Sequence, residues 1–312
     1  MAAIQTTGLT KRYGESVLAV DDLHLTVEDG EVFGFLGPNG AGKSTTINML
    51  LDFVRPSDGH ASVLGLDAQA DTDEIRRRIG VLPEGASVYD RLTAREHLQW
   101  VIDTKDAADD PDALLEQVGL SGEGDRPAGD YSKGMAQRLG FGMALVGDPD
   151  LLILDEPSSG LDPAGMQEMR EIIAEEADRG TSVFFSSHIL GEVEAVCDRI
   201  GIMNEGRLVA TGTLDDLQGE LDLGAPITLE VATVPEGLDL DRLTGVRSVS
   251  VEGTTITATC ADPSVKVDVV RHVASATTVE DIVSEDVSLE QLFNSYTNGE
   301  RAEGAADTEV SA

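Results

Sequence analysis

The hydrophobic positions of this chain fall into short, nearly continuous runs separated by turn residues. Glu31–Leu36, Leu151–Leu154, Ser182–Ser186 and Arg199–Met203 are the clearest. Leu151-Leu152-Ile153-Leu154 lacks the alternation of a half-solvated sheet and suits a strand covered on both faces of a mainly parallel sheet. Helix-length stretches lie between the runs, so residues 1–218 are expected to form an α/β unit. The last run leads through Asn204-Glu205-Gly206 into Arg207-Leu208-Val209-Ala210, and Asn-Glu-Gly has the turn chemistry of a hairpin.

Residues 84–147 break this rhythm and read as a mainly helical insert. Thr93-Ala94-Arg95-Glu96 has the form of a capping box opening a helix. Asp103–Asp112 reads as an acidic break, and Pro111–Leu120 as a short helix stopped by glycine. Beyond residue 218 the pattern changes. Ile227–Val231, Val246–Val251 and Thr255–Thr259 predict strands, and Val265–Ala274 predicts a helix. Residues 219–297 are therefore expected to form a small α+β accessory module, and 298–312 a disordered acidic tail.

Chemistry enters where the first buried run ends. Gly37-Pro38-Asn39-Gly40-Ala41-Gly42-Lys43-Ser44-Thr45 fits G-x-x-x-x-G-K-[ST], the phosphate-binding loop of nucleotide hydrolases. Glycines let the backbone curl so that successive N–H groups face phosphate. Lys43 supplies positive charge to the terminal phosphates, Ser44 offers a hydroxyl to Mg²⁺, and a helix over Lys43–Leu51 would turn its positive end to the same anion. Leu151–Leu154 ends in two carboxylates, Asp155 and Glu156. Asp155 is placed to hold Mg²⁺, and Glu156 to polarise a water for in-line attack on the γ-phosphorus.

Composition narrows the partners. Of 312 residues 41% are hydrophobic but only 4% aromatic, so the core is expected to rest on Leu, Val, Ile and Ala. No run approaches the ~18–20 apolar residues that cross a bilayer, and Met1–Thr7 lacks the regions of a secretory signal. Cys197 and Cys260 form no metal or disulfide pattern and read as small buried hydrophobes. The five histidines show no metal-ligand spacing. Fifty-eight acidic against 22 basic residues, of which only five are lysine, give a net charge of −36. Such self-repulsion strains a compact domain in dilute buffer. At molar salt the Debye length falls to ~3 Å and screens it, so the composition resembles that of proteins from saline cytoplasm. The same acidity disfavours nucleic acid as a partner. Arg76-Arg77-Arg78, the one basic cluster, reads as a solvated helix face.

Tyr131-Ser132-Lys133-Gly134-Met135-Ala136-Gln137-Arg138 brings the chain to a family. It resembles the signature motif of ABC-type ATPases, commonly Leu-Ser-Gly-Gly-Gln; Ser132 and Gly134 match, Tyr131, Lys133 and Met135 depart, and Gln137 and Arg138 match the positions that usually follow. Ser159-Gly160-Leu161-Asp162-Pro163 resembles the D-loop, His188 after Ser186-Ser187 matches the switch histidine, and Tyr13 matches the aromatic residue that stacks on adenine. Leu82-Pro83-Glu84 stands where the family has its Q-loop, with Glu84 in place of the usual glutamine. A carboxylate there approaches Mg²⁺ but cannot donate a hydrogen bond as an amide does.

The resemblance covers about residues 4–218 and implies a P-loop NTPase core of the ABC ATPase type, using ATP and Mg²⁺. It implies that Lys43, Glu156 and His188 act in hydrolysis, that Ser44, Asp155 and Glu84 face the metal, and that Tyr13 and Gly37–Thr45 hold the nucleotide. Ser132, Gly134 and Asp162 would face the site of an opposing ATPase subunit. The implied role is the nucleotide-binding subunit of a transporter, docked on separate permease chains at the cytoplasmic face of a membrane. Val-Leu-Pro-Glu at 81–84 and Val287–Phe293 resemble an exporter subgroup for drugs, sodium, copper-related cargo or haem. Two alternatives stand beside it: a soluble ABC ATPase of DNA repair or translation, and a non-hydrolysing regulator.

Overall fold

The computed structural model describes residues 2–14, 16–85, 88–220, 225–235, 238–284 and 289–297. The chain divides into two compact units, Met1–Thr213 and Leu214–Ala312. In the first unit the elements are β1 (Ala2–Tyr13), β2 (Val17–Glu28), β3 (Val32–Leu36), α1 (Lys43–Leu50), β4 (Asp58–Val63), β5 (Leu66–Asp67), α2 (Thr72–Arg78) and β6 (Ile79–Leu82). They continue with α3 (Ala94–Lys105), α4 (Pro111–Gln117), α5 (Lys133–Leu145), β7 (Leu151–Asp155), α6 (Pro163–Asp178), β8 (Ser182–Ser187), α7 (Leu190–Val196), β9 (Arg199–Asn204) and β10 (Arg207–Gly212). The second unit holds α8 (Leu214–Glu220), β11 (Ala225–Val231), β12 (Val246–Glu252), β13 (Thr255–Cys260), α9 (Val265–Ala276), β14 (Val279–Ser284) and α10 (Leu289–Thr297).

Two sheets build the first unit. One is six-stranded in the order β10-β9-β3-β8-β7-β6. Five of its strands, β9-β3-β8-β7-β6, run parallel, with β10 antiparallel at one edge. Strands β3, β7 and β8 are buried at every residue, as continuous apolar runs require. The second sheet, β2-β1-β4-β5, is antiparallel. Aromatic residues are few, but five phenylalanines are central. Phe33, Phe35, Phe141, Phe184 and Phe185 are all fully buried, and Phe184 lies 5.9 Å from Phe33 and 5.2 Å from Phe35 between ring centroids. The core therefore rests on phenylalanine as well as on the aliphatic residues expected.

The β9–β10 hairpin closes through Glu205 and Gly206, both at positive φ, which is the twist that joins antiparallel strands tightly. In the segment between β6 and β7, Thr93 and Glu96 bond reciprocally at the start of α3. That helix runs to Lys105, so the expected acidic break at Asp103 begins three residues later, at the left-handed Asp106. Lys105 explains the extension: its ammonium reaches the carbonyls of Ile79 and Val146 at 2.9 and 2.8 Å and so ties α3 to the sheet.

In the second unit, a four-stranded antiparallel sheet, β12-β13-β11-β14, carries α9 against it. Ile227, Leu229, Val231, Ile256 and Ala258 alternate inward and meet Val269 and Val273. Of the motif Val287–Phe293, Val287 and Ser288 lie outside the described residues, as does the acidic tail 298–312.

Candidate functional site

Parallel strands present all their C-terminal ends on one edge, and ligands of such sheets bind there. The strand order places β3, β8, β7 and β6 side by side. Their tips lead into Gly37–Thr45, Ser186–His188, Asp155–Glu156 and Leu82–Glu84 respectively. Four segments singled out in the sequence thus converge because of topology, although they are far apart along the chain.

The loop after β3 is shaped by close approach. Gly42 sits at φ 108°, and a Cβ there would lie 2.4 Å from the Ala19 carbonyl, so only glycine fits. Gly42 caps α1 without any side-chain acceptor, and the first turn carries no acidic residue. The helix start is thus left to an anion. A polar cleft of about 300 Å³ opens over it, lined by Ala19, Pro38–Thr45, Glu84 and Glu156. Lys43 is buried, with its ammonium 2.7 Å from the Gly37 carbonyl. Burial lowers its pKa, against the opposing pull of Glu156, Asp155 and Glu84.

Glu156 faces the same cleft. It is 7% exposed and has a backbone φ of +52°, a region that costs a side-chain-bearing residue about 1–2 kcal/mol. Its N–H is held by the carbonyl and hydroxyl of Ser186 at 3.2 and 3.1 Å. One carboxylate oxygen lies 3.8 Å from the Lys43 ammonium and the other 2.6 Å from His188 Nδ1. A carboxylate only accepts, so Nδ1 carries the proton of that bond. Desolvation raises the Glu156 pKa, although His188 and Lys43 both pull it down. Burial outweighs the ion pair for both Glu156 and Lys43, as expected for charges too far apart for a direct hydrogen bond.

Asp155 is also buried and accepts a hydrogen bond from Ser186 Oγ. Ser186 was missed as a site residue. It bridges Asp155 and Glu156, and its signal was a polar residue at the tip of the apolar run Val183-Phe184-Phe185. Among the described residues no set of three or more His, Cys, Asp or Glu is arranged to hold a metal. The donors instead suit Mg²⁺ carried in on phosphates, which needs only one or two protein oxygens. Ser44 lines the cleft, as does the exposed Glu84, and Asp155 stands on the strand beside Glu156. MgATP would supply the phosphate charge and the metal that neutralises it; the Lys43 ammonium and the loop amides would face that charge, and the Glu156 carboxylate would serve as the base for an attacking water.

Other expected site residues lie elsewhere. Tyr13, 42% exposed at the end of β1, is outside the lining of the cleft, with the Lys11 ammonium 5.0 Å from its ring centre. Ser132 caps α5 by accepting from the Met135 N–H, and Gly134 lies in the first turn of that helix. Asp162 caps α6, accepting from Gly165 N–H at 2.9 Å. None of these three lines the cleft of its own chain.

The sequence profile described as ABC transporter matches residues 20–159. The bacitracin transport ATP-binding protein BcrA of Bacillus licheniformis is 46% identical over 221 residues, spanning 69% of this chain and 71% of that protein. The chain belongs to the ABC transporter ATP-binding family. It is an ATP-binding subunit, and its enzyme class is that of the ABC ATPases. The daunorubicin/doxorubicin resistance ATP-binding protein DrrA of Streptomyces peucetius is 41% identical over 228 residues, covering 70% of this chain and 68% of that protein. Among solved structures, an ATP-binding subunit of an ABC transporter aligns with a TM-score of 0.65 at 30% identity, covering 70% of this chain and 92% of the other. A dimeric ATP-binding cassette holding ADP and Pi shares the fold at 21% identity, with a TM-score of 0.63 over 68% of this chain and 98% of that one. The P-loop NTPase fold expected from the motifs is therefore the fold of this ABC ATPase.

Proposed function

We propose that two ATPase subunits clasp two MgATP between them and that closing and reopening this sandwich drives a separate membrane permease in export. Each nucleotide would lie between Gly37–Thr45 of one subunit and Ser132–Gly134 of the other. The observation that carries this reading is the start of α5. Its first turn holds no acidic residue, and it lies outside its own chain's cleft. A hydroxyl and a helix N-terminus of this kind suit an anion brought by another molecule. In this arrangement Lys43, Glu156 and His188 act on one nucleotide. Ser132 and Gly134 sense the other, and Asp162 stands on the D-loop between the two. Tyr13 stacks on the base. Two of its relatives are named for bacitracin transport and for daunorubicin/doxorubicin resistance, which favours export of small organic cargo.

No helix among the described residues is long and apolar enough to cross a membrane, so the reading needs a membrane-spanning partner. Tyr89 and Trp100 are 60% and 51% exposed and meet edge to face at 6.0 Å. With Arg91 and Leu92 they border a cavity of about 540 Å³. Exposed aromatic pairs of this kind mark protein contacts, and this patch is the proposed seat of the permease at the cytoplasmic face of the membrane. The test is recovery of a tagged chain from membranes in high salt. A multi-span membrane protein recovered with it supports the reading; ribosomes or DNA without such a protein contradict it. The acid excess adds an expectation: ATPase activity and the thermal midpoint rise together between 0.1 and 2 M KCl. Equal activity and stability at both salt concentrations would remove the saline assignment.

A further inference from the structure

Gln137 is 4% exposed and lies one turn into α5. Its Nε2 donates to two successive carbonyls, Glu156 at 3.3 Å and Pro157 at 2.8 Å. The orientation of the amide is fixed by these partners, since only its NH₂ group can face two acceptors. The segment it holds begins at the left-handed Glu156 and passes through Pro157, which brings no N–H of its own. Such backbone persists only where its surroundings over-determine it. Two further contacts join the same elements. Lys133 Nζ meets Ser159 Oγ at 3.2 Å, and a Cβ on Gly134 would lie 3.2 Å from the Gly160 carbonyl. Positions 133, 134 and 137 share one side of the helix, so the stretch Glu156–Gly160 is fastened to α5 at both of its ends.

We propose that Gln137 is a positioning residue for ATP hydrolysis: it registers the backbone of Glu156 to the helix whose N-terminus meets the opposing nucleotide. The inference rests on the sandwich reading. In that arrangement the two ends of the device belong to different sites. Ser132 and Gly134 respond to the nucleotide of the other subunit, and Gln137 passes the position of α5 to this chain's own Glu156. If the peptide after Glu156 turned, the carboxylate would leave His188 and the mouth of the cleft together.

The test compares Gln137→Met, which keeps the shape and removes both donors, with the wild-type full chain in molar KCl. The expected result is a kcat lowered about 10–100-fold with a KM for ATP within about twofold. Gln137→Glu keeps the shape but sets an acceptor against two carbonyls, and is expected to lose at least as much kcat with ATP binding retained. A Gln137→Met chain with wild-type kcat would overturn the proposal. So would loss of ATP binding by both variants, since Gln137 would then hold the fold. The double variant Gln137→Met with Glu156→Gln is expected to dimerise with ATP as Glu156→Gln alone does. Failure of Glu156→Gln itself to dimerise would strike the sandwich reading and leave the kcat comparison standing.

Discussion

The cleft above β3 and the start of α5 treat their functional residues in opposite ways. In the cleft, Glu156 already meets both Lys43 and His188 within one chain, at 3.8 and 2.6 Å. At α5, Ser132 bonds only locally as a helix cap, and Asp162 does the same at α6. The first region is a set of groups made to work together; the second is a surface whose polar groups are aimed outward. The difference teaches that half of the proposed site is complete in one subunit and half gains its meaning from another.

The comparison breaks most sharply at Glu156. Glu156→Gln is expected to lower kcat about 10²–10⁴-fold, the range for loss of a general base, with ATP affinity retained. Hydrolysis at the wild-type rate would remove Glu156 from the reaction. Next in size is Ser132→Glu, which sets a carboxylate where the opposing γ-phosphate would sit. Binding of a fluorescent ATP analogue by the dilute monomer is expected to be unchanged, while hydrolysis falls about 100-fold. If monomer binding fell in step with hydrolysis, the two regions would not be separate.

A third effect is smaller and concerns pH. As the proposed base Glu156 would act ionised, and burial raises its pKa from the ordinary 4.5. The rate is therefore expected to fall on acidification at a pH above the ordinary carboxylate range, and the residual activity of Glu156→Gln should lack that limb. A wild-type profile flat down to pH 4.5 would contradict the buried environment. The smallest effect is at Asp162. Asp162→Ala removes the cap of α6 and is expected to cost about 0.5–2 kcal/mol of stability, read as a lower thermal midpoint. An unchanged midpoint with lost hydrolysis would move Asp162 from cap to functional contact alone.

Much of the cleft was legible because its chemistry sits at the tips of buried strands. Continuous apolar runs such as Leu151–Leu154 are visible in sequence, and the residues that follow them must lie on one edge of a parallel sheet. The antiparallel sheet of the first unit was less visible. β1 and β2 are 12 residues each, with several register shifts, and β1 buries the polar Thr6, bonded to Leu23 and Leu25. The alternation Leu23-x-Leu25-x-Val27 was a usable signal. So was Asp162-Pro163, a cap followed by proline, for the 16 residues of α6. The role of Ser186 and the partners of Gln137 were hidden for another reason. Their roles are hydrogen bonds between elements far apart in sequence, and no local pattern records which carbonyl a buried amide will meet.

The most direct measurement is the mass of the Glu156→Gln chain in molar KCl, with and without MgATP, by light scattering on a sizing column. The account predicts a monomer without nucleotide and a dimer with it, and predicts that adding Ser132→Glu returns the ATP-bound chain to a monomer. A Glu156→Gln chain that binds ATP and stays monomeric would contradict it.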